Sequence, residues 1–122
     1  MTIVDRQSLG RCGEDLALAS YAALGYVCIA RRWRKARGEL DLVLRRESVL
    51  VFCEVKTRRG TEWGRPEESV TRRRLQRIRG VARLFLADQA PSGIREYRFD
   101  VAAVLVDVRS EEVRVRLLTG VV

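Results

Sequence analysis

Leu9, Cys12, Leu16, Ala19 or Ser20, and Ala23 recur at helical spacing, and Gly25 stands where a C′ glycine ends a helix, which predicts a first helix over residues 5–24. Glu14 falls on the flank of that apolar stripe rather than on its outer side, an odd place for a solubilising charge. Gly10 and Gly13 would each cost the helix about 1 kcal/mol against alanine, so they point to close backbone approach. Tyr26–Trp33 has strand composition, and Glu39–Arg46 and Val49–Arg58 are clearer strands joined by Glu47-Ser48, a link short enough to predict an antiparallel hairpin. In Glu39–Arg46 the alternation puts Glu39 and Asp41 on one face and Leu40, Leu42 and Leu44 on the other. The run Val49-Leu50-Val51-Phe52-Cys53 implies a strand covered on both faces, hence a central one.

Residues 57–66, with Gly60, Gly64 and Pro66, read as a loop. A second helix follows over Pro66–Asp88, its buried stripe marked by Thr71, Leu75, Ile78, Ala82 and Phe85, with Pro66 and Glu67-Glu68 suited to its first turn. Pro91-Ser92-Gly93 makes a turn, and Tyr97–Val106 and Val113–Leu118 read as the last two strands. The order αβββαββ describes one α/β domain over residues 1–122, a mixed central sheet flanked by helices.

Composition narrows the chemistry. The chain has 122 residues, 47% of them apolar, enough for one domain to bury roughly two-thirds of its unfolded surface. It has no histidine, which excludes Ser-His-Asp and Cys-His catalysis and any histidine-based metal or nuclease centre built within this chain. Cys12, Cys28 and Cys53 form no C-x-x-C pair and read as core thiols of a reducing, cytoplasmic setting. The longest uncharged stretch, Leu16–Ala30, is too short to span a bilayer, and Glu14-Asp15 before it are the wrong sign for a signal peptide.

The 24 Lys and Arg against 16 Asp and Glu give a net charge of +8, and Lys35 and Lys56 are the only lysines among the cations. Residues 31–83 carry 17 basic and 7 acidic residues, so the positive field belongs to the middle of the chain. A nucleic acid is the first reading of the partner, an acidic protein the second and an anionic membrane surface a distant third.

Inside that basic segment the acids are placed unusually. Alternation in Val49–Arg58 points Glu54 and Lys56 to one face of a central strand, and Asp41 lies on the neighbouring strand. Carboxylates converging on a buried face need a cation between them or a raised pKa. Mg²⁺, a hard ion that accepts oxygen ligands and keeps several waters, suits such a pair, and Lys56 beside it could orient a nucleophilic water or steady charge on a phosphate.

These residues resemble a known signature. Asp41 followed by Glu54-Val55-Lys56 is similar to the PD-(D/E)xK motif of the restriction-endonuclease-like nucleases. Gly13-Glu14, Gly38-Glu39-Leu40-Asp41-Leu42, Val51-Phe52-Cys53-Glu54-Val55-Lys56-Thr57-Arg58, Trp63-Gly64 and Val70-Thr71 together resemble the YraN family, itself similar to Holliday junction resolvases. The resemblance implies a restriction-endonuclease-like three-layer fold with Mg²⁺ (or Mn²⁺) held by Asp41, Glu54 and the Val55 main-chain carbonyl, Lys56 assisting the nucleophile and Glu14 completing the site. Arg74 stands where the family has a lysine, Arg32 where it has an asparagine and Cys53 where valine is usual, and Glu39 is an acid beyond the resolvase set.

For nucleic-acid contact the sequence offers Arg32, Arg34, Arg58, Arg59, Trp63, Arg72, Arg73, Arg74 and Arg77, with Trp63 equally able to serve packing or an interface. Glu14 has the plainer alternative of pairing with Arg11 or Arg31. With no base-reading module evident, the expected substrate is branched or otherwise structured DNA recognised by shape, and cutting a two-fold symmetric junction would call for a homodimer. The rivals are a non-catalytic nucleic-acid binder on the same fold and an adaptor for an acidic protein.

Overall fold

The computed structural model describes residues 6–60 and 71–121, with side chains of the first helix described from Cys12 onward. Its elements run α1 (Arg6–Ala23), β1 (Val27–Lys35), β2 (Gly38–Arg46), β3 (Val49–Gly60), α2 (Arg72–Gln89), β4 (Glu96–Asp107) and β5 (Val113–Leu118), the expected αβββαββ order. The five strands lie in the order β1-β2-β3-β4-β5. The β3–β4 pair is parallel and the other three are antiparallel. The parallel pair is allowed by its connection, since parallel neighbours need a long crossover and the segment containing α2 supplies one between β3 and β4.

The helices cover opposite faces and make the fold three-layered. Ala17 and Tyr21 of α1 pack with Leu42, Leu44, Val51 and Cys53, whereas Ile78, Val81, Ala82 and Phe85 of α2 pack with Val43, Leu50 and Phe52. Consecutive residues of β3 thus belong to different cores, which is what its unbroken apolar run required of a central strand.

Helix α1 ends as a Schellman motif. The Tyr26 N–H reaches the Tyr21 carbonyl at 3.0 Å, the Gly25 N–H reaches that of Ala22 at 3.0 Å, and Gly25 takes φ of 89°. The Tyr21 and Tyr26 rings meet edge-on at 5.4 Å, the apolar contact that accompanies this cap.

Several boundaries and faces differ from expectation. The buried side of α1 is Gly13, Ala17 and Tyr21; Cys12, Ala19 and Ala23 are exposed, and the side chain of Leu9 lies outside the described residues. Size explains the shift at the near end: a Cβ on Gly13 would run into Thr57 Oγ1 of β3, so glycine stands where the helix comes closest to the sheet, and Tyr21 fills the wider space further along. Of the cysteines only Cys53 is buried, while Cys12 and Cys28 are exposed. Strand β3 runs through the expected end at Arg58 and on to Gly60, inside the segment expected as loop, because Arg59 and Gly60 still pair with β4, the last as Gly60↔Asp107. Helix α2 begins at Arg72 after Thr71, whose extended backbone and side chain, accepting the Arg74 N–H at 3.1 Å, make it the N-cap rather than a stripe residue. Gly64, Pro66, Glu67 and Glu68 lie outside the described residues.

Strand β2 departs from simple alternation at Asp41. Leu40 packs on the α2 side and Leu42 on the α1 side, although residues two apart in a regular strand share a face. Between the pairs Arg31↔Leu42 and Trp33↔Leu40 stand Arg32 and Asp41, and Arg32 has φ of 51°. That left-handed step returns Trp33 to the same side as Ala30, and it suits the asparagine of the resembled family better than an arginine. Among the described residues no helix is long and apolar enough to cross a membrane.

Candidate active site

The β2–β3 ladder closes at Leu42↔Cys53, and beyond that pair Val55 has no strand partner on β2. Asp41 fills the opening, with Oδ2 accepting the Val55 N–H at 2.8 Å. The carboxylate is thereby fixed at the edge of Glu54-Val55-Lys56 by a main-chain bond rather than by a flexible partner.

Burial pushes the Asp41 carboxyl up to about 7, and the negative charges of Glu54 and, more weakly, Glu14 push in the same direction against the Val55 N–H. The three acids separated in sequence therefore share one electrostatic neighbourhood, with Asp41 between the others' layers.

Glu54 points to the α2 side and is only 4% exposed. Its Oε1 accepts from Arg74 Nε at 3.1 Å and Nη2 at 2.6 Å, and Lys56 Nζ stands 3.5 Å away. The first turn of α2 thus drives a guanidinium into the acidic cluster, and the hydrogen bond to Glu54 raises the Arg74 pKa further. Sequence reasoning placed Arg74 on the binding surface; the structure commits it to Glu54. Its position opposite the family's lysine was the available signal.

Glu14 comes from the other helix layer. Arg31 Nε and Arg32 Nε donate to its Oε1 at 3.1 and 2.9 Å, with a second contact from Arg32 to Oε2 at 3.2 Å. Pairing with Arg31 was one of the two alternatives for Glu14, and it coexists here with proximity to Asp41. Arg32 is consequently half-buried against Glu14, and Arg34 pairs with Glu39 at 3.2 Å, whereas Arg58, Arg59, Arg72, Arg73 and Arg77 are exposed. Trp63 lies outside the described residues.

Arg72 and Arg73 occupy the first turn of α2, where no acidic residue is present. Cations there oppose the helix dipole, so the positive potential at this end is raised at some cost to the helix.

The donor set near β3 consists of hard oxygens: the Asp41 and Glu54 carboxylates and the Val55 carbonyl. Among the described residues no three Asp, Glu, Cys or His side chains converge as a metal-holding group. Any cation would rest on two carboxylates, a carbonyl and water, a set that fits Mg²⁺ or Mn²⁺ and not zinc.

A second buried carboxylate went unrecognised in the sequence. Asp100 of β4 accepts from Tyr21 Oη at 2.7 Å, from Arg98 Nε and Nη2 at 2.9 Å each, and from the Gly120 N–H at 3.0 Å. Every oxygen is doubly satisfied, so this group ties α1 and the C-terminal segment to the sheet. The acid within the apolar stretch of β4 was its only sequence sign.

The model of the uncharacterised protein family UPF0102, the YraN family, matches residues 13–104. Similar proteins include a UPF0102 protein of Acidothermus cellulolyticus, 45% identical over 109 residues that cover 82% of this chain and 83% of the relative. Another, from Frankia alni, is 47% identical over 106 residues, covering 85% of this chain and 86% of the relative. A third, from Roseiflexus castenholzii, is 41% identical over 110 residues, covering 90% and 89%.

Proposed function

Since the chain belongs to the uncharacterised protein family UPF0102, whose members carry no assigned activity in their names, we propose from its own site that it is a metal-dependent endonuclease acting on branched or structured DNA. The observation that carries this reading is the convergence of Asp41 and Glu54 where β2 and β3 part, with Lys56 on the same side as Glu54. A merely phosphate-binding surface would gain nothing from acids gathered at its centre, since they repel the ligand.

Asp41, Glu54 and the Val55 carbonyl would hold Mg²⁺ or Mn²⁺. When bound, such an ion supplies positive charge against a phosphodiester and makes water a stronger acid. Lys56 orients the water or balances charge on the phosphate, and Glu14 accepts a hydrogen bond from water on the α1 side of Asp41. Arg72 and Arg73 draw phosphates to the mouth of the site, and neither reads bases, so substrate choice rests on backbone shape.

One observation favours the non-catalytic reading. Arg74 already neutralises Glu54, an arrangement that a binding protein with a vestigial site would also keep. The two readings separate on incubation of the protein with junction, flap, single-stranded and duplex DNA, and with RNA, in Mg²⁺ and in Mn²⁺, beside Glu54→Ala. Cleavage of one form by the wild type and not by the variant supports the endonuclease. Cleavage that survives the substitution is contamination and removes the catalytic claim.

A further inference from the structure

The turn joining β1 to β2 and the exposed side of α2 enclose a groove of about 970 Å³, lined among others by Lys35, Arg37, Glu39, Arg77, Gly80 and Arg83. Arg74, the partner of Glu54, also lines it, so the groove opens onto the candidate site. Arg77 of the groove's outer cations stood among the binding residues expected from the sequence, and Arg83 did not.

Two contacts hold the walls together. Gly38, where β2 begins, sits so close to Val81 of α2 that a Cβ would collide with Val81 Cγ2, and Lys35 Nζ reaches Asp88 Oδ1 at 3.0 Å. The groove is therefore preformed and does not depend on a ligand to assemble it.

Its charges are not balanced from within. Lys35 is held by Asp88 and Arg74 by Glu54, and Glu39 is paired with Arg34. Arg37, Arg77 and Arg83 are exposed and have no ion pair among the described residues. Guanidinium groups gathered on a concave surface repel one another, and focusing by the low-dielectric walls strengthens the field they make. A polyanion with several charges in a row relieves all of them at once, and a phosphate backbone matches the planar fork of arginine.

Gly80 adds an independent sign. It lies in the middle of α2, where glycine weakens a helix, yet a Cβ there would meet nothing within 4 Å. Packing does not require it, and its effect is to leave the groove wall bare.

We propose that this groove is the track along which the backbone of one nucleic-acid strand runs toward Glu54, its phosphates contacted by Arg37, Arg77 and Arg83. The proposal rests on the nucleic-acid part of the reading above and is independent of whether the site cuts.

The test is fluorescence anisotropy in EDTA with a labelled oligonucleotide, presented single-stranded, as a duplex and as a four-way junction, across a salt series. Arg37→Ala and Arg83→Ala are expected to lower affinity several-fold and to make the log–log salt slope shallower by about one each. Gly80→Glu, which places an anion in the groove, is expected to weaken binding further while its circular dichroism matches the wild type. Arg109→Ala, a charge-matched change in the β4–β5 turn, serves as the control and is expected to bind as the wild type does. Groove variants that bind like the wild type, an equal loss in Arg109→Ala, or displacement of the oligonucleotide by polyglutamate at equal charge each overturn the proposal. Loss of binding in the groove variants without metal-dependent cleavage in the wild type would defeat the nuclease reading and leave the groove standing; cleavage with unchanged groove-variant binding would do the reverse.

Discussion

Arg74 donates from both Nε and Nη2 to a single oxygen of Glu54, at 3.1 and 2.6 Å. A carboxylate that a nuclease would need for a cation is thus already served by a cation from α2. Arginine and metal compete for the same charge, so Arg74→Ala is expected to bind Mn²⁺ more tightly than the wild type when no nucleic acid is present. Isothermal titration measures this directly. In metal-free buffer the variant is expected to lose about 1–2 kcal/mol, less than for a fully buried pair because Arg74 is 43% exposed and screened. Weaker or unchanged Mn²⁺ binding would show that Arg74 does not compete.

The Asp41 carboxyl, pushed up from 3.8 to about 7 chiefly by burial and then by Glu54, gives a pH signature. The folded chain keeps a proton there that the unfolded chain releases near 3.8, so the native state binds more protons across that interval. Metal-free stability from this group is full below 3.8, falls as pH rises toward about 7 and then levels off. Asp41→Asn is expected to flatten that part of the profile. Urea midpoints across the interval decide it, and a wild type whose stability rises with pH there contradicts the assignment.

Gly13 and Thr57 are a matched pair. Gly13→Ala forces its new methyl against Thr57 Oγ1 and pushes α1 from β3, at an expected cost of about 1–3 kcal/mol. Removing the obstruction in Gly13→Ala/Thr57→Ala is expected to recover much of that loss. Chemical denaturation of these two variants and of Thr57→Ala gives the coupling, and strictly additive effects would mean the contact is not what selects glycine.

Tyr21→Phe removes one donor from the buried Asp100 carboxylate and leaves the two Arg98 contacts and the Gly120 N–H. A loss of about 1–3 kcal/mol is expected, with oligonucleotide affinity unchanged because Asp100 faces α1, away from the groove. Asp100→Ala leaves the half-buried Arg98 without its carboxylate and is expected to cost more. Thermal melts paired with anisotropy test both halves.

Gly80→Ala is expected to stabilise the protein by about 0.5–1 kcal/mol, since the position is helical and its methyl meets open space. A destabilised variant would reveal a packing role for the glycine that the structure does not display.

Much of the architecture was already dictated by the sequence, because local periodicity is enough to set it. The apolar run of β3 demanded cover on both faces, the Glu47-Ser48 link demanded a hairpin, and Gly25 demanded the end of α1; all three hold in the fold. Glu54 and Lys56 were legible as a pair because alternation sets their shared face, whereas the place of Asp41 depended on a break in β2 that alternation does not foresee. What the chain alone could not reveal depends on partners distant in sequence. The extension of β3 past Arg58 through Arg59-Gly60 exists because β4 offers hydrogen bonds to residues whose composition favours a loop. The face that α1 buries was set by how closely Gly13 approaches Thr57, a steric limit that hydrophobicity does not encode. The roles of the arginines were decided last of all: Arg32 and Arg74 turn inward to Glu14 and Glu54, while Arg37 and Arg83 have no ion pair among the described residues and line the groove. Charge in a sequence is only a count, and tertiary structure decides which cations are spent on internal carboxylates and which remain to meet a ligand.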